Sequence, residues 1–240
     1  MNLLKTRAIA LHHIRYSDNS AIVKMFTREL GLRAVMVRSV FRQKNSKSNL
    51  IRPFTLLDLE VKASSKSDIL TSINLERGCP QSGFQGEFTK SAVVMFLSEI
   101  VYKSLEDSYV NEGLFDFIWE AVKFLDQEEL NPNFHLIFLV ELIKRYGMYP
   151  QLPCSPRDLY FDMEGGIYQD FKGGNYCLDQ SLSEIVLTIL GTDFEGLSSL
   201  EISALQRQSG LRSLVDYLRL HVSGLNEINS QTVLETVFHG

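Results

Sequence analysis

Polar and apolar residues alternate along two segments in the first third of the chain. In residues 54–63 every second residue is apolar or threonine, and residues 69–77 repeat this pattern. A period of two is typical of strands that bury one face. We therefore predict two strands whose inward side chains are Thr55, Leu57, Leu59 and Val61 in the first and Ile69, Thr71, Ile73 and Leu75 in the second.

Three less regular β-rich runs precede these strands, at residues 5–14, 20–28 and 32–40. Turn-forming residues separate them, which is the usual punctuation between strands. Five short strands without a long helix predict a small closed sheet, and a five-stranded OB-fold barrel is the simplest such architecture. The polar, basic segment 41–52 is predicted to be a long loop on this barrel.

The pattern changes around residues 78–83, where glycine, proline and serine cluster. We place a domain boundary there, with an OB-fold nucleic-acid-binding domain in residues 1–80 and an all-α helical bundle in residues 81–240. Beyond the boundary, apolar residues recur at i, i+3 and i+4, as in amphipathic helices. Two such segments are Val93–Val101 and Leu114–Leu125.

A third helix, residues 134–146, is apolar on nearly every side and is predicted to be the buried centre of the bundle. Asn131-Pro132 has the residue types of an N-cap and first turn. Residues 150–177 are rich in proline, glycine and aromatics and are predicted to form an irregular or hairpin insertion. Capping-box spacing predicts two further helix starts, Ser181-x-x-Glu184 and Ser198-x-x-Glu201.

Charge is distributed unevenly along the chain, although the formal net charge is only −5. Residues 1–78 contain 14 Lys and Arg against 6 Asp and Glu, whereas residues 79–240 contain 10 against 23. Such asymmetry indicates a module that binds a polyanion, joined to a part with another task. The basic density peaks at Lys24, Arg28, Arg33, Arg38, Arg42, Lys44, Lys47 and Arg52.

This cluster is the candidate nucleic-acid site, because successive Lys and Arg side chains can neutralise successive phosphates. The proposed contact residues are Lys24, Arg33, Arg38, Arg42, Lys44, Lys47 and Arg52. Bases of a single strand also need flat side chains for stacking, and Tyr16, Phe26 and Phe41 lie nearby. The alternative is that the charges solvate the barrel and that each aromatic residue fills its core.

The acidic helical half contains one notable basic pair, Lys144 and Arg145, beside the apolar helix. Such a pair next to an apolar groove is a candidate site for an acidic, hydrophobic peptide tail. The alternative is a helix C-terminus whose cations interact with the helix dipole.

Catalytic and metal-binding motifs are absent from the sequence: it contains no P-loop, G-x-S-x-G, G-x-G-x-x-G or H-E-x-x-H. His12 and His13 alternate in a predicted strand and cannot chelate together. The cysteines, Cys79, Cys154 and Cys177, are far apart, which favours free thiols in a reducing compartment. With no signal peptide or apolar run of membrane-spanning length, we expect a cytoplasmic protein without enzymatic activity, cofactor or metal.

Several segments in order resemble the RecO family of bacterial recombination mediators. They are Ala8-Ile9-Ala10-Leu11, Tyr16 to Val23, Phe26 to Leu32, Val35-Met36-Val37-Arg38, the basic loop Arg42 to Ser48, and Arg52-Pro53-Phe54. The similarity is close over residues 8–63 and looser beyond, where Phe138 to Tyr149 is similar to the family's buried helix.

This resemblance implies an OB domain followed by a helical domain and a role in recombinational DNA repair. It implies binding of single- and double-stranded DNA, annealing of complementary strands, and association with the nucleoid. It also implies contacts with RecR and with the acidic tail of single-stranded-DNA-binding protein, and help in loading RecA.

The chain departs from the family pattern at two places. Ser39 stands where relatives usually have glycine, and only Cys154 and Cys177 remain of the four-cysteine zinc motif that many relatives carry in residues 150–177. We therefore predict an insertion without zinc, held by the packing of aromatic side chains. Two other functional hypotheses remain open at this point: an OB-domain RNA-binding or ribosome-associated factor, and a protein-interaction scaffold.

Overall fold

The computed structural model describes residues 3–41, 47–64, 67–81, 84 and 87–239. The chain forms two compact units, Met1–Glu129 with Ile228–Leu234, and Leu130–Glu227 with Glu235–Gly240. The predicted fold class, an N-terminal five-stranded barrel followed by helices, is confirmed. The domain boundary after residue 80 stays a prediction, because compactness does not show which parts fold alone.

The barrel is closed by five strands in the order β1-β2-β3-β5-β4. β1 pairs antiparallel with both β2 and β4, which closes the sheet, and β3 pairs with β5 in parallel. This is the architecture that the alternating pattern predicted. The strands are β1 (Leu3–Arg15), β2 (Ala21–Thr27), β3 (Gly31–Val37), β4 (Leu56–Ser64) and β5 (Ser67–Arg77).

The inward face of β4 is as predicted, with Leu57, Leu59 and Val61 in the barrel core. The inward face of β5 is partly wrong, because Leu70 and Leu75 are buried although they are five residues apart. A β-bulge at Ile73 explains the change of parity, since pairing with β4 skips this residue and leaves it 54% exposed. The predicted inward positions that are wrong are Ile69, Thr71 and Ile73.

The segment predicted to be a long loop contains a short 3-10 helix, Lys47–Ile51. Ile51, at the end of this helix, and Val40, just before the segment, both belong to the barrel core. The segment 41–52, which its polar composition predicted to be a loop, therefore also contributes a side chain to the barrel core. Residues 42–46 lie outside the described part of the chain.

Two helices complete the first unit together with the start of a third. They are α1 (Phe88–Ser104) and α2 (Glu112–Gln127), and the residues Ile228–Leu234 include the first turn of α6 (Ser230–His239). α1 packs against β1. The predicted segments Val93–Val101 and Leu114–Leu125 both lie inside these helices, as expected from their periodicity.

The second unit is built around α3 (Phe134–Arg145), with α4 (Gln180–Leu190) and α5 (Ala204–His221) packed against it. Nine of the twelve α3 residues are buried, which confirms the prediction of a buried central helix. None of the described helices is both long and apolar enough to span a membrane.

The start of α3 differs from the prediction. The helix begins at Phe134, and the Oδ1 atom of Asn131 accepts a hydrogen bond from the backbone N–H of Asn133 at 2.8 Å. Asn131 therefore forms a turn before the helix rather than its N-cap, and Pro132 precedes the first helical residue. The assignment of Asn131-Pro132 as N-cap and first turn was wrong by two residues.

The predicted starts of α4 and α5 were also wrong. Asp179 caps α4 by accepting a hydrogen bond from Leu182 N–H at 2.9 Å, and Ser203 forms a capping box with Gln206 at the start of α5. In each case a competing cap residue lies close in sequence, and a 3-10 turn at Leu197–Ser199 occupies the second predicted site. The predicted boxes that do not form are Ser181-x-x-Glu184 and Ser198-x-x-Glu201.

The insertion contains a short hairpin, β6 (Tyr160–Asp162) and β7 (Ile167–Gln169). The rings of Phe161 and Tyr168 stack with centroids 4.9 Å apart, so aromatic packing holds the hairpin as predicted. Cys154 is exposed and Cys177 is buried, and the described residues contain no group of three or more potential metal ligands. The absence of zinc stays a prediction.

Candidate nucleic-acid interface

The connection between α1 and α2 lies directly against the start of β3. Asp107 forms a β-bridge with Leu32, and the backbone N–H of Ser108 donates to the carbonyl of Leu32 at 3.0 Å. Gly31 permits this approach, because a Cβ atom there would lie 2.4 Å from the carbonyl oxygen of Tyr109. The φ of Gly31, +70°, also favours glycine. The connection therefore covers one end of the β2–β3 surface.

Two of the predicted phosphate contacts are engaged by this connection. Lys24 Nζ donates to Asp107 Oδ1 at 2.8 Å, and Arg33 Nη1 donates to the hydroxyl of Ser108 at 2.6 Å. The Asp107 carboxylate is largely exposed. Exposed ion pairs of this kind are weak, about 0.2–1 kcal/mol, so a phosphate can replace the carboxylate at little cost.

A third member of the basic cluster, Arg28, joins the barrel to α2. Its guanidinium donates to both carboxylate oxygens of Asp116, at 2.9 and 3.0 Å, and lies 2.7 Å from Glu112. The hydrogen bond from Arg28 lowers the pKa of Asp116, and the same bond raises the pKa of Arg28. Arg7 also contacts Asp116 and lies over the ring of Trp119, 5.0 Å from its centroid. Arg28 is therefore a structural residue.

The other described members of the cluster remain available. Among described residues, no hydrogen bond or ion pair involves the side chain of Arg38, Lys47 or Arg52. Arg38 and Arg52 are exposed and Lys47 is half-buried. The predicted contacts Arg42 and Lys44 lie outside the described residues. Within the described part of the predicted site, these three cations are free to bind an anion.

The β1–β2 turn and the segment after β3 meet at one end of the barrel. The backbone N–H of Val40 donates to the carbonyl of Asn19 at 2.9 Å, and the guanidinium of Arg15 lies over the ring of Phe41, 5.2 Å from its centroid. Arg38 immediately precedes this contact in the chain. Arg52 and Arg77 both line a small cleft. The structure thus brings Arg15 into the basic region, a residue that the sequence analysis did not select.

The three candidate aromatic residues have different environments. Phe26 is fully buried and packs edge to face against Phe115, so it belongs to the core. Phe41 is half-buried beneath Arg15. Tyr16, the residue after β1, is 65% exposed and is available for stacking.

The basic pair on α3 is engaged within its own helix. Lys144 Nζ donates to Glu141 Oε1 at 2.9 Å and lies over the ring of Tyr149, while Arg145 donates to the other oxygen of the same carboxylate. Burial alone would raise the pKa of Glu141, but the hydrogen bonds from these two cations lower it. The assignment of Lys144 and Arg145 to a partner tail stays a prediction.

The first unit also contains a cavity of about 500 Å³ that the sequence did not indicate. Glu99 lines it and accepts hydrogen bonds from the backbone N–H groups of Asn229 and Ser230 at the start of α6. Burial alone would raise the pKa of Glu99, but hydrogen bonds from Lys103 and Ser230 outweigh this effect and lower the pKa to about 2. Glu99 therefore anchors the first turn of α6.

We expect Glu99→Gln to lower the free energy of unfolding by about 1–3 kcal/mol at pH 7, since hydrogen bonds to a charged group are lost. The stabilisation that the Glu99 carboxylate gives the folded protein is fully present above pH 4.5, its ordinary pKa. It is lost as the pH falls toward about 2, the pKa of Glu99 in the folded protein. The difference between the two proteins in urea unfolding should therefore narrow below pH 4.5. Glu120→Gln, in an exposed pair with Lys123, is the control and should change stability by less than about 1 kcal/mol. A gap that stays constant down to pH 3 would contradict this role.

Comparison with known proteins identifies the family of the chain. The family described as Recombination protein O N terminal matches residues 1–78, and Recombination protein O C terminal matches residues 85–227. The chain is 31% identical over 238 residues to DNA repair protein RecO of Flavobacterium johnsoniae, covering 98% of this chain and 99% of the relative. It is 30% identical over 239 residues to DNA repair protein RecO of Christiangramia forsetii, with the same coverage. The chain therefore belongs to the Recombination protein O (RecO) family.

Proposed function

We propose that this protein is a non-enzymatic mediator of recombinational DNA repair that binds single- and double-stranded DNA and anneals complementary strands. The observation that carries the proposal is the basic barrel, in which Arg38, Lys47 and Arg52 have no anionic partner among the described residues. Membership of the RecO family and relatives named DNA repair protein RecO support the same role.

The physical basis of annealing is electrostatic. Two complementary single strands repel each other through their phosphates, and cations that neutralise some of these phosphates reduce the repulsion. Contacts to the backbone leave the base edges free to pair, because phosphate contacts position a strand without reading its sequence. The barrel surface therefore favours strand pairing without making or breaking a covalent bond.

Partners are proposed from the family and from the basic pair at the end of α3. We propose that the protein acts with RecR to help load RecA, and that an acidic tail of single-stranded-DNA-binding protein docks near Lys144 and Arg145. Lys144 is part of an ion pair and lies over Tyr149, so a tail carboxylate would have to compete with Glu141 for it. We propose a cytoplasmic, nucleoid-associated location on the same grounds.

The direct test is the pairing of two complementary oligonucleotides, one carrying a donor dye and the other an acceptor, with and without the protein. We expect the protein to accelerate annealing and to lose this effect as salt rises. The same assay with RNA oligonucleotides separates a DNA mediator from an RNA-binding factor. Acceleration of RNA pairing alone, or no acceleration of either, would contradict the proposal.

A further inference from the structure

The outer face of β1 carries exposed side chains that the barrel core does not use. His12 pairs in register with Lys24, and Ile14 pairs with Ile22. On β2, Val23 lies between Ile22 and Lys24 and points into the barrel core. Because side chains alternate along a strand, Ile22 and Lys24 point outward, and so do their partners Ile14 and His12 on β1. Ile14 is 54% exposed, and Tyr16 beyond it is also exposed.

His12 is also part of the wall of the 500 Å³ cavity. Its ring stacks on Tyr102 of α1, with centroids 5.2 Å apart and an angle of 13° between the planes. The rest of the lining exposes mainly apolar surface, to which Leu11, Pro53, Met95 and Val233 contribute. Its polar part comes from Ser98, Glu99, Lys103, Asn229 and Ser230. The cavity therefore joins an aromatic platform to an apolar pocket, and it opens beside the row of exposed side chains on β1.

The cavity has little net charge. Glu99 and Lys103 form an ion pair with Nζ and Oε1 at 2.8 Å, so neither charge is left uncompensated. Partial burial lowers the pKa of His12, which favours its neutral form. Asn229 and Ser230 also line the cavity and add polar groups to it. A neutral, flat ligand with polar edges fits this lining better than an anion does.

We infer that this cavity takes one unpaired nucleobase of single-stranded DNA, stacked on the His12–Tyr102 platform. The inference rests on the proposed function. Lys24 lies next to His12 in the sheet and favours a nucleotide as the ligand, because it can bind a phosphate. Its exposed partner Asp107 can be displaced by the phosphate of the nucleotide whose base fills the cavity. Bases in a duplex are stacked and paired, so the cavity favours single strands.

The test compares His12→Ala with His13→Ala, its neighbour, which does not line the cavity. Binding of a labelled single strand and of a labelled duplex is measured by fluorescence anisotropy at 0.1 M salt. We expect His12→Ala to weaken binding of the single strand about tenfold, as for loss of one stacked base, and to change duplex binding less than about twofold. His13→Ala should leave both affinities within about twofold of the unmodified protein.

A second variant, Met95→Trp, fills the cavity from an exposed wall position and should have the same selective effect as His12→Ala. Crosslinking of a single strand containing 5-iododeoxyuridine should label His12 or Tyr102. If the unmodified protein binds DNA, an equal loss of affinity for single strand and duplex, or no loss of affinity in either variant, would overturn the inference. Failure of the unmodified protein to bind either DNA would instead overturn the proposed function and the inference together.

Discussion

Replacing Arg38 and Arg52 by glutamine is expected to weaken binding of single-stranded DNA about 25-fold at 0.1 M salt. Each lost phosphate contact reduces the slope of log K against log salt by about 0.7, so two lost contacts reduce it by about 1.4. At 0.1 M salt, tenfold below a 1 M reference, a slope difference of about 1.4 corresponds to a factor of about 25 in K. Both residues are exposed and have no side-chain partner among the described residues, so the folded state should be unaffected. The measurement is fluorescence anisotropy of a labelled oligonucleotide across a salt series.

The matched control changes the same net charge in the acidic half of the chain. Arg157 and Lys172 are exposed, and glutamine at both positions removes two positive charges far from the barrel in sequence. If the effect of Arg38 and Arg52 comes from contact with phosphate, this control should weaken binding less than about threefold, because only cations that contact phosphate release its condensed counterions. Equal losses in the two variants would show that net charge alone matters and would contradict the assigned site.

Replacing Gly31 by alanine is expected to lower the free energy of unfolding of the first unit by about 3 kcal/mol or more. The φ of +70° alone costs an L-residue about 1–2 kcal/mol. The added Cβ would also lie 2.4 Å from the carbonyl oxygen of Tyr109, and a backbone atom cannot move aside like the end of a side chain. Urea unfolding followed by fluorescence of Trp119, the single tryptophan of the chain, measures the effect.

Gly147→Ala is the control for backbone strain. Gly147 has a φ of +72°, and a Cβ there would meet no atom within 4 Å. Urea unfolding followed by circular dichroism should show that this variant lowers the free energy of unfolding by only about 1–2 kcal/mol. If Gly31→Ala costs no more than Gly147→Ala, the α1–α2 connection is not held tightly against β3.

The barrel was predictable because strand periodicity is a local property. β4 was assigned to the correct face since its alternation of apolar and polar residues is regular. The bulge at Ile73 was not predictable, because it is defined by pairing with β4 and not by any residue of β5 itself. The helix starts at Asp179 and Ser203 were missed for a related reason, since several nearby residues can cap and packing selects one.

The candidate site shows the same division between local and long-range information. The excess of positive charge in the barrel is visible in the sequence. The sequence does not show which of these cations are structural and which are available for DNA. Asp107 and Asp116, which form ion pairs with Lys24 and Arg28, lie more than 80 residues away from them in the chain. The cavity beside His12 likewise combines β1, α1 and the start of α6, and no sequence motif links these segments.

We propose that the basic barrel binds single-stranded DNA mainly through phosphate contacts. The most direct measurement is anisotropy of a labelled single-stranded oligonucleotide with the unmodified protein from 0.02 to 0.5 M salt, roughly the range over which phosphate contacts are resolved. Three available cations predict a linear fall of log K with log salt, with a slope of about −2 or steeper. Absence of binding at the lowest salt, or an affinity that does not change with salt, would contradict the claim.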